Sequence, residues 1–364
     1  MTTSLSAVLR DPAGPYSLET LELDEPGPSE ALVRVVASGL CHTDLMGRAG
    51  VLGEHFLPAV LGHEGSGVVE KVGPGVTDFA PGDHVVLSFD SCGTCPGCLA
   101  GRPTDCTGFE ARNLSGLTAD GRRTARDARG EPVTNRWFGQ SSFARYSLTT
   151  VRNMVKVEQD LPLELLGPLG CSIQTGAGSV LNAMRLAPGQ SLAVFGAGAV
   201  GLSAIMAARL SGASDIVAVD LNPARRDLAL KLGATRAVDG GDADVVGAVT
   251  GGGGGLDFSF DTTGVSAVMA NAVRVLNRPG TCILVGAGMD MLTLHPAELT
   301  GKTVTYLYEG GAVPQLFIPR LIELWRQGVF PFEELITRYR LDEIDRAEAD
   351  AIAGTAVKPV LVMP

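Results

Sequence analysis

The sequence is short of positive charge. Lysine and arginine number 29 against 40 aspartates and glutamates, which leaves a net charge of −11 over 364 residues. Such a surface repels phosphate backbones and anionic lipid heads, so it argues against nucleic acid or a membrane surface as partner. Met1 to Arg10 shows no basic run followed by an apolar one, so no secretory signal is expected there and the expected compartment is the cytoplasm. No apolar run of spanning length goes unbroken. The nearest, Leu192 to Ala208, carries no charge, but Gly196, Gly198 and Gly201 interrupt it and Pro188-Gly189 precede it. A strand, a glycine turn and a buried helix account for it better than a span. Internal repeats are lacking. Histidine is scarce at five residues, of which His55, His84 and His295 have no nameable partner and default to surface or turn positions.

What is present suits a compact α/β protein. Hydrophobic residues make up 45%, charged residues 19%, and glycines number 47; the length is enough for two domains with separate cores. Up to about residue 90 the chain reads as β: short apolar runs at Ala31–Val36, Gly67–Val72 and His84–Leu87 alternate with Pro/Gly punctuation such as Pro26-Gly27-Pro28 and Pro81-Gly82. Residues 107–136 lack periodicity and read as a surface excursion, after which Phe143–Leu148 resumes a strand. From about residue 173 strands and helices alternate. Apolar strands at Ser191–Phe195, Asp215–Asp220, Thr235–Asp239, Leu256–Asp261, Thr281–Gly286 and Thr303–Tyr308 predict a doubly wound parallel sheet. The glycine run 251–255 reads as a flexible loop, because no helix start follows it. Two helices (Val313–Gln327 and Leu341–Ile352) and a strand (Ala356–Met363) close the chain.

Seven cysteines carry the first chemical signal. Cys92, Cys95, Cys98 and Cys106 lie within fifteen residues, spaced by Gly, Thr and Pro. Four thiolates so spaced close a tetrahedral cage around zinc and leave no position for water, which makes a structural site. An iron–sulfur cluster, a single iron, or free or disulfide-bonded cysteines are the rival readings. A second set is Cys41, His63 and Cys171, with Glu64 adjacent. Two thiolates and an imidazole neutralise zinc and leave a coordination position open, as catalysis requires; the plainer reading is a core histidine and a small apolar cysteine. Asp44 is placed to hold the far nitrogen of His63, and Thr43 offers a hydroxyl for proton transfer, unless both merely cap the helix that begins there. Cys282, in an apolar strand, is expected in the core.

The third signal is Gly196-Ala197-Gly198-Ala199-Val200-Gly201, between an apolar strand and an apolar helix, with Asp220 ending the next strand. A lone glycine pattern of this kind is weak; strand, helix and acid in their expected places make it a dinucleotide turn. Asp220 would bond the adenosine ribose and repel a 2′-phosphate, favouring NAD over NADP, although Arg225 and Arg226 stand nearby. Zinc plus nicotinamide defines a reaction: an alcohol gives its hydride to the nicotinamide ring, and Thr43 exports the proton.

These residues bring the chain to a known family. Gly62-His63-Glu64-x2-Gly67-x5-Gly73-x2-Val76, the cysteine cluster, the glycine turn and Asp220 resemble the zinc-dependent medium-chain alcohol dehydrogenases over nearly the whole length. The resemblance implies a GroES-like β-rich catalytic domain with both zinc sites (residues 1–172), an inserted NAD-binding Rossmann domain (173–308) and a C-terminal return to the catalytic domain (309–364). It implies Cys41, His63 and Cys171 as catalytic zinc ligands, with Glu64 behind the metal as a transient one. His42 and Lys358 would lie near the cofactor pyrophosphate and Thr175 near the nicotinamide, with Val200, Arg225 and Val285 completing the cofactor set. Local runs such as Phe138–Phe143, Leu165–Gly178 and Pro314–Pro319 are most similar to the aryl-alcohol branch, with Phe89 and Phe138 lining the pocket for an aromatic or allylic primary alcohol. A thiol-adduct formaldehyde dehydrogenase and a non-catalytic nucleotide-binding regulator are the alternatives. The resemblance also implies two zinc ions per subunit and a homodimer or homotetramer, with Thr303–Tyr308 as the sheet edge. Two positions depart from the family. Met46 stands where many relatives end a proton relay with histidine, and Ala199 replaces a glycine in the cofactor turn without expected harm.

Overall fold

The computed structural model describes residues 2–50, 56–288 and 290–364; His55 lies outside them. The chain divides into two compact units. One holds Met1–Cys171, Val313–Arg320 and Glu333–Pro364, and the other Ser172–Ala312 and Leu321–Phe332. The tail after residue 308 is therefore shared between both units rather than returning whole to the first.

The first unit is built on two sheets. β1 (Thr2–Leu9), β2 (Ser17–Leu23), β4 (Ala59–Val60), β7 (Ala125–Arg126) and β8 (Pro132–Val133) form one, in the order β4-β1-β2-β7-β8. β3 (Glu30–Gly39), β5 (Glu64–Val72), β6 (His84–Leu87), β9 (Tyr146–Thr150) and β10 (Met154–Val157) belong to the other. β3 and β5 pair antiparallel from Ala31↔Val72 to Gly39↔Glu64, with register shifts after Leu32 and Val35. That register brings Glu64, and His63 just before it, to the end of β3, where Cys41 follows. A core of Leu9, Leu21, Leu61, Trp137 and Phe143 fills the space against the first sheet.

Residues 107–136 are not the surface excursion their composition suggests. They contain a helix (Phe109–Asn113) and strands β7 and β8, and they bury Phe109, Ala125, Val133, Thr134, Asn135 and Arg136. The buried polar groups find partners: Thr124 Oγ1 donates to Asn135 Oδ1 at 3.0 Å, and Arg136 pairs with Glu30. Polar residues satisfied in a core leave no periodic signature in sequence.

The second unit carries a wholly parallel sheet. Its strands are β11 (Ser191–Phe195), β12 (Asp215–Asp220), β13 (Arg236–Asp239), β14 (Leu256–Asp261), β15 (Leu276–Leu284) and β16 (Lys302–Tyr306), in the order β13-β12-β11-β14-β15-β16. That order reverses direction at β11 and β14, so the crevice beyond their C-terminal ends is where a nucleotide belongs. The charge-free run Leu192–Ala208 proves to be β11, the glycine turn and the buried helix Ala199–Leu210. Among the described residues no helix is long and apolar enough to cross a membrane. Cys282 lies in β15 at 0% exposure, and burial pushes its thiol up to about 12. The glycine run 251–255 is a turn that ends the helix Val245–Thr250, with Gly251 in the left-handed region. The chain closes on β17 (Ile336–Arg340) and β18 (Lys358–Val362), which join the second sheet of the first unit through β18 and β3. β17 escapes sequence reading because Ile-Thr-Arg-Tyr-Arg buries only Tyr339.

Candidate metal centres and nucleotide turn

Gly62 sets the direction of His63. Its φ is +90°, and a Cβ there would come within 2.5 Å of the Phe143 ring and 2.6 Å of the Phe143 nitrogen. Only glycine makes this bend beside Phe143. His63 then points its Nδ1 at Asp44 Oδ1, 2.8 Å away, with both side chains at 0% exposure. Asp44 sits in the first turn of the helix His42–Arg48, and its Oδ2 accepts from the Cys41 nitrogen at 3.0 Å. Capping and holding the histidine are thus one job of one carboxylate. Cys171 arrives from the turn Gly167–Gly170, which packs so closely on β5 that a Cβ at Gly167 would run into the Glu64 carbonyl oxygen.

The ligand atoms of Cys41, His63, Glu64 and Cys171 all lie within 4.8 Å of one another. His63 Nε2 is buried and makes no hydrogen bond. A buried imidazole nitrogen with no partner, facing two thiols and a carboxylate, fits a zinc ligand better than a satisfied core histidine. Lys358 supplies the local positive charge. Its Nζ lies 3.0 Å from each Glu64 carboxylate oxygen and 3.0 Å from the Leu40 carbonyl, at 2% exposure. Its ammonium is engaged with those oxygens. A hydrogen bond from Cys171 draws the Cys41 thiol well below the ordinary thiol range, against burial and with help from Lys358. Burial opposes charge on His63, but Asp44 outweighs it and raises the ring above the usual histidine value. Burial raises Glu64, and Lys358 pulls the other way. Lys358 itself is held above the ordinary lysine range by Glu64 and Cys41, although burial disfavours its charge. Thr43 Oγ1 lies 3.9 Å from Cys41 Sγ, Met46 is half-buried, and His42 is exposed at the start of its helix.

Three side chains that sequence reasoning gave no ligand-holding role surround His63. Phe138, expected in a substrate pocket, stacks on the imidazole with centroids 4.5 Å apart and planes at 27°. Gln140 Nε2 donates to the His63 carbonyl at 2.9 Å, and its Oε1 accepts from the Gly65 nitrogen at 3.1 Å. Trp137 Nε1 donates to Asp44 Oδ1 at 2.9 Å. The one signal that could have found the last is general: a buried indole N–H needs an acceptor. Phe89 is 3% exposed and packs on Phe109, with centroids 5.6 Å apart.

The four-cysteine loop closes on itself. Cys92, Cys95, Cys98 and Cys106 also place their sulfurs within 4.8 Å of one another. Backbone nitrogens serve them: Thr94 and Cys95 donate to Cys92 Sγ at 3.4 and 3.3 Å, and Cys92 donates to Cys106 Sγ at 3.3 Å. The bond from Thr94 leads in holding the Cys92 thiol at about 5, while burial lifts Cys98 to about 11. Four sulfurs with N–H donors suit a closed zinc cage.

In the second unit the glycine turn sits between β11 and its helix. A Cβ on Gly201 would run into the Gly196 carbonyl oxygen, so the turn depends on that glycine. Gly198 precedes the helix and Val200 lies in its first turn. Asp220 ends β12; its carboxylate accepts from the Ala197 nitrogen at 2.7 Å and the Asn222 nitrogen at 2.8 Å. Arg226 is occupied by the Asp220 and Leu221 carbonyls and by Asp239, whereas Arg225 Nη1 lies 3.8 Å from where a Gly198 Cβ would be. Thr175 lies on the helix Ser172–Gly178, whose Gly176 packs against the Val200 carbonyl. Val285 follows β15 and donates to the Asp261 carbonyl at 3.0 Å.

Comparison with known proteins agrees with both halves. Residues 27–159 match the alcohol dehydrogenase GroES-like domain family, and residues 199–317 match the zinc-binding dehydrogenase family. The chain is 46% identical over 363 residues to a geraniol dehydrogenase of Castellaniella defragrans, covering 98% of this chain and 97% of that one. Among solved structures it is similar to an alcohol dehydrogenase zinc-binding domain protein from Burkholderia ambifaria (TM-score 0.96, 47% identity, covering 100% and 99% of the two chains). It is also similar to benzyl alcohol dehydrogenase from Acinetobacter calcoaceticus (TM-score 0.95, 41% identity, 100% of both chains).

Proposed function

The chain belongs to the zinc-dependent medium-chain alcohol dehydrogenase family, and within it we propose that the protein oxidises a primary allylic or benzylic alcohol to the aldehyde with NAD, reversibly. The observation that carries this reading is the convergence of Cys41, His63, Glu64 and Cys171, with the His63 Nε2 free of any hydrogen bond. A zinc ion held by Cys41, His63 and Cys171 would supply Lewis acidity to the alcohol oxygen and lower its pKa. Asp44 holds the His63 ring in one tautomer through Nδ1, and Thr43, beside Cys41, relays the hydroxyl proton, its Oγ1 accepting that proton as its own passes on to solvent. Phe138 covers the imidazole with an apolar face and excludes water from that side.

The substrate class rests on the relatives' own names: geraniol is an allylic primary alcohol and benzyl alcohol a benzylic one. NAD is favoured over NADP because Asp220 keeps a carboxylate at the end of β12, and Arg226, which bonds the Asp220 carbonyl, is also paired with Asp239. The Gly196–Gly201 turn is the pyrophosphate cradle and Arg225 its flanking cation. A second copy of the chain is the proposed partner at β16, an edge strand that exposes Tyr306 and continues to the exposed Tyr308.

The test is NADH or NADPH absorbance of the purified protein with benzylic, allylic and aliphatic alcohols side by side. Turnover should be greatest with NAD and the first two classes, and Cys41→Ser should abolish it while the protein stays folded. Silence across the panel sinks the proposal, and formaldehyde turnover that needs a thiol replaces it with the thiol-adduct reading.

A further inference from the structure

We propose that Trp137 is a positioning residue for the metal ligand His63, acting through the Asp44 carboxylate. The inference rests on the metal reading of the Cys41–His63–Cys171 cluster. Asp44 is fully buried, and its two oxygens receive four donors. Oδ1 takes His63 Nδ1 at 2.8 Å, Trp137 Nε1 at 2.9 Å and the Gly62 nitrogen at 3.1 Å, while Oδ2 takes the Cys41 nitrogen at 3.0 Å. Trp137 and His63 therefore share one oxygen. A fully buried carboxylate depends on hydrogen-bond donors to satisfy its lone pairs. Without the indole N–H, the oxygen that aims the imidazole would lose one of three donors and the constraint on its direction.

The indole is a stiff support. It is 1% exposed and meets Phe56 and Phe138 edge to face, at centroid distances of 5.5 and 5.2 Å. The helix carrying Asp44 packs on it at Gly47, where a Cβ would lie 3.4 Å from Trp137 Cζ2. The turn that delivers it has backbone strain: Phe138, Gly139 and Ser141 have φ of +49°, +66° and +49°. Non-glycine residues persist in that region only when their surroundings hold them. Here the Trp137 nitrogen donates to Ser141 Oγ at 2.8 Å, and that hydroxyl donates to the Val60 carbonyl at 2.6 Å. The strained turn spends its side chains on one histidine: Phe138 on the ring face, Gln140 on the carbonyl and Trp137 on the carboxylate behind Nδ1.

The experiment compares the zinc-loaded wild type with Trp137→Phe, which keeps an aromatic ring but not the N–H. Zinc transfer to a chromogenic chelator is followed in time. The four-cysteine cluster, whose sulfurs take their hydrogen bonds from other donors than Trp137, is the internal control. Metal from the Cys41–His63–Cys171 site should leave faster in the variant, by up to about 10-fold, the low end of what losing a ligand's direct partner costs in affinity, with release from the control site unchanged. Equal release from wild type and variant, or equal loosening of both sites, overturns the proposal. Should the variant fail to fold, the wild type still decides. With 15N-labelled indole, removing the metal should move the Trp137 N–H resonance and leave that of Trp325 in place; an unmoved Trp137 resonance overturns the proposal. A wild type that binds only one zinc overturns the proposed function, and this inference with it.

Discussion

At the scale of single residues, the chain places charges where burial decides their chemistry. Glu348 shows this away from the metal cluster. Its carboxylate lies 2.6 Å from Arg48 and 3.0 Å from the Tyr16 hydroxyl, with Asp345 and Asp44 among the acids that act on it. Burial pushes its pKa up from 4.5 to about 7, with Arg48 pulling against that shift. Between those values the folded protein keeps a proton that the unfolded chain has released. Its stabilising contribution is therefore complete below 4.5 and is lost as pH rises through about 7. Glu348→Gln stays neutral throughout. The melting temperature of that variant, measured relative to wild type, should rise as pH is raised across this window; a difference independent of pH would show that Glu348 does not titrate there.

At the scale of elements, two short segments depend on something other than their own propensity. The cysteine loop holds a four-residue helix, Pro96–Leu99, with no buried residue in it, and a single 3-10 turn, Pro103–Asp105, that buries Thr104. Zinc bound by its four thiolates would supply its local folding energy. Cys98→Ser should therefore release one zinc per chain and expose the loop 92–106 to limited proteolysis, read by mass spectrometry, with the glycine turn of the other unit intact. The glycine turn depends on close backbone approach. Gly201→Ala should cost roughly 1–3 kcal/mol, the usual penalty for overpacking, and weaken NAD binding measured by calorimetry. A variant that binds NAD as the wild type does would show that the helix shifts to make room.

At the scale of the whole molecule, the parallel sheet ends at β16, and among the described residues no strand covers its outer side. Tyr306 and Tyr308 are 50% and 37% exposed, with rings in edge contact at 5.4 Å. An edge of this kind is satisfied by pairing with a second copy. Sedimentation should show a dimer or tetramer for wild type and a shift toward monomer for Tyr306→Lys; a wild-type monomer would remove the basis for the pairing.

The sequence alone determined the parts of this protein whose signals are local. The spacing of Cys92, Cys95, Cys98 and Cys106, the glycines of 196–201 and the strand–helix alternation after residue 173 each express a short-range requirement of a cage, a turn or a sheet, and each is met in the structure. Cys41, His63 and Cys171 were legible as ligand types, but only the register of β3 with β5 and the close packing at Gly167 bring them together. The burial of residues 107–136, the pairing of Lys358 with Glu64 and the hold of Trp137 on Asp44 were decided by tertiary structure. A buried polar side chain is defined by a partner that stands far away in sequence: 294 residues separate Lys358 from Glu64, and 93 separate Trp137 from Asp44. No local pattern carries such a pairing, because the cost of burying one group is offset only by the other when the fold has brought them together.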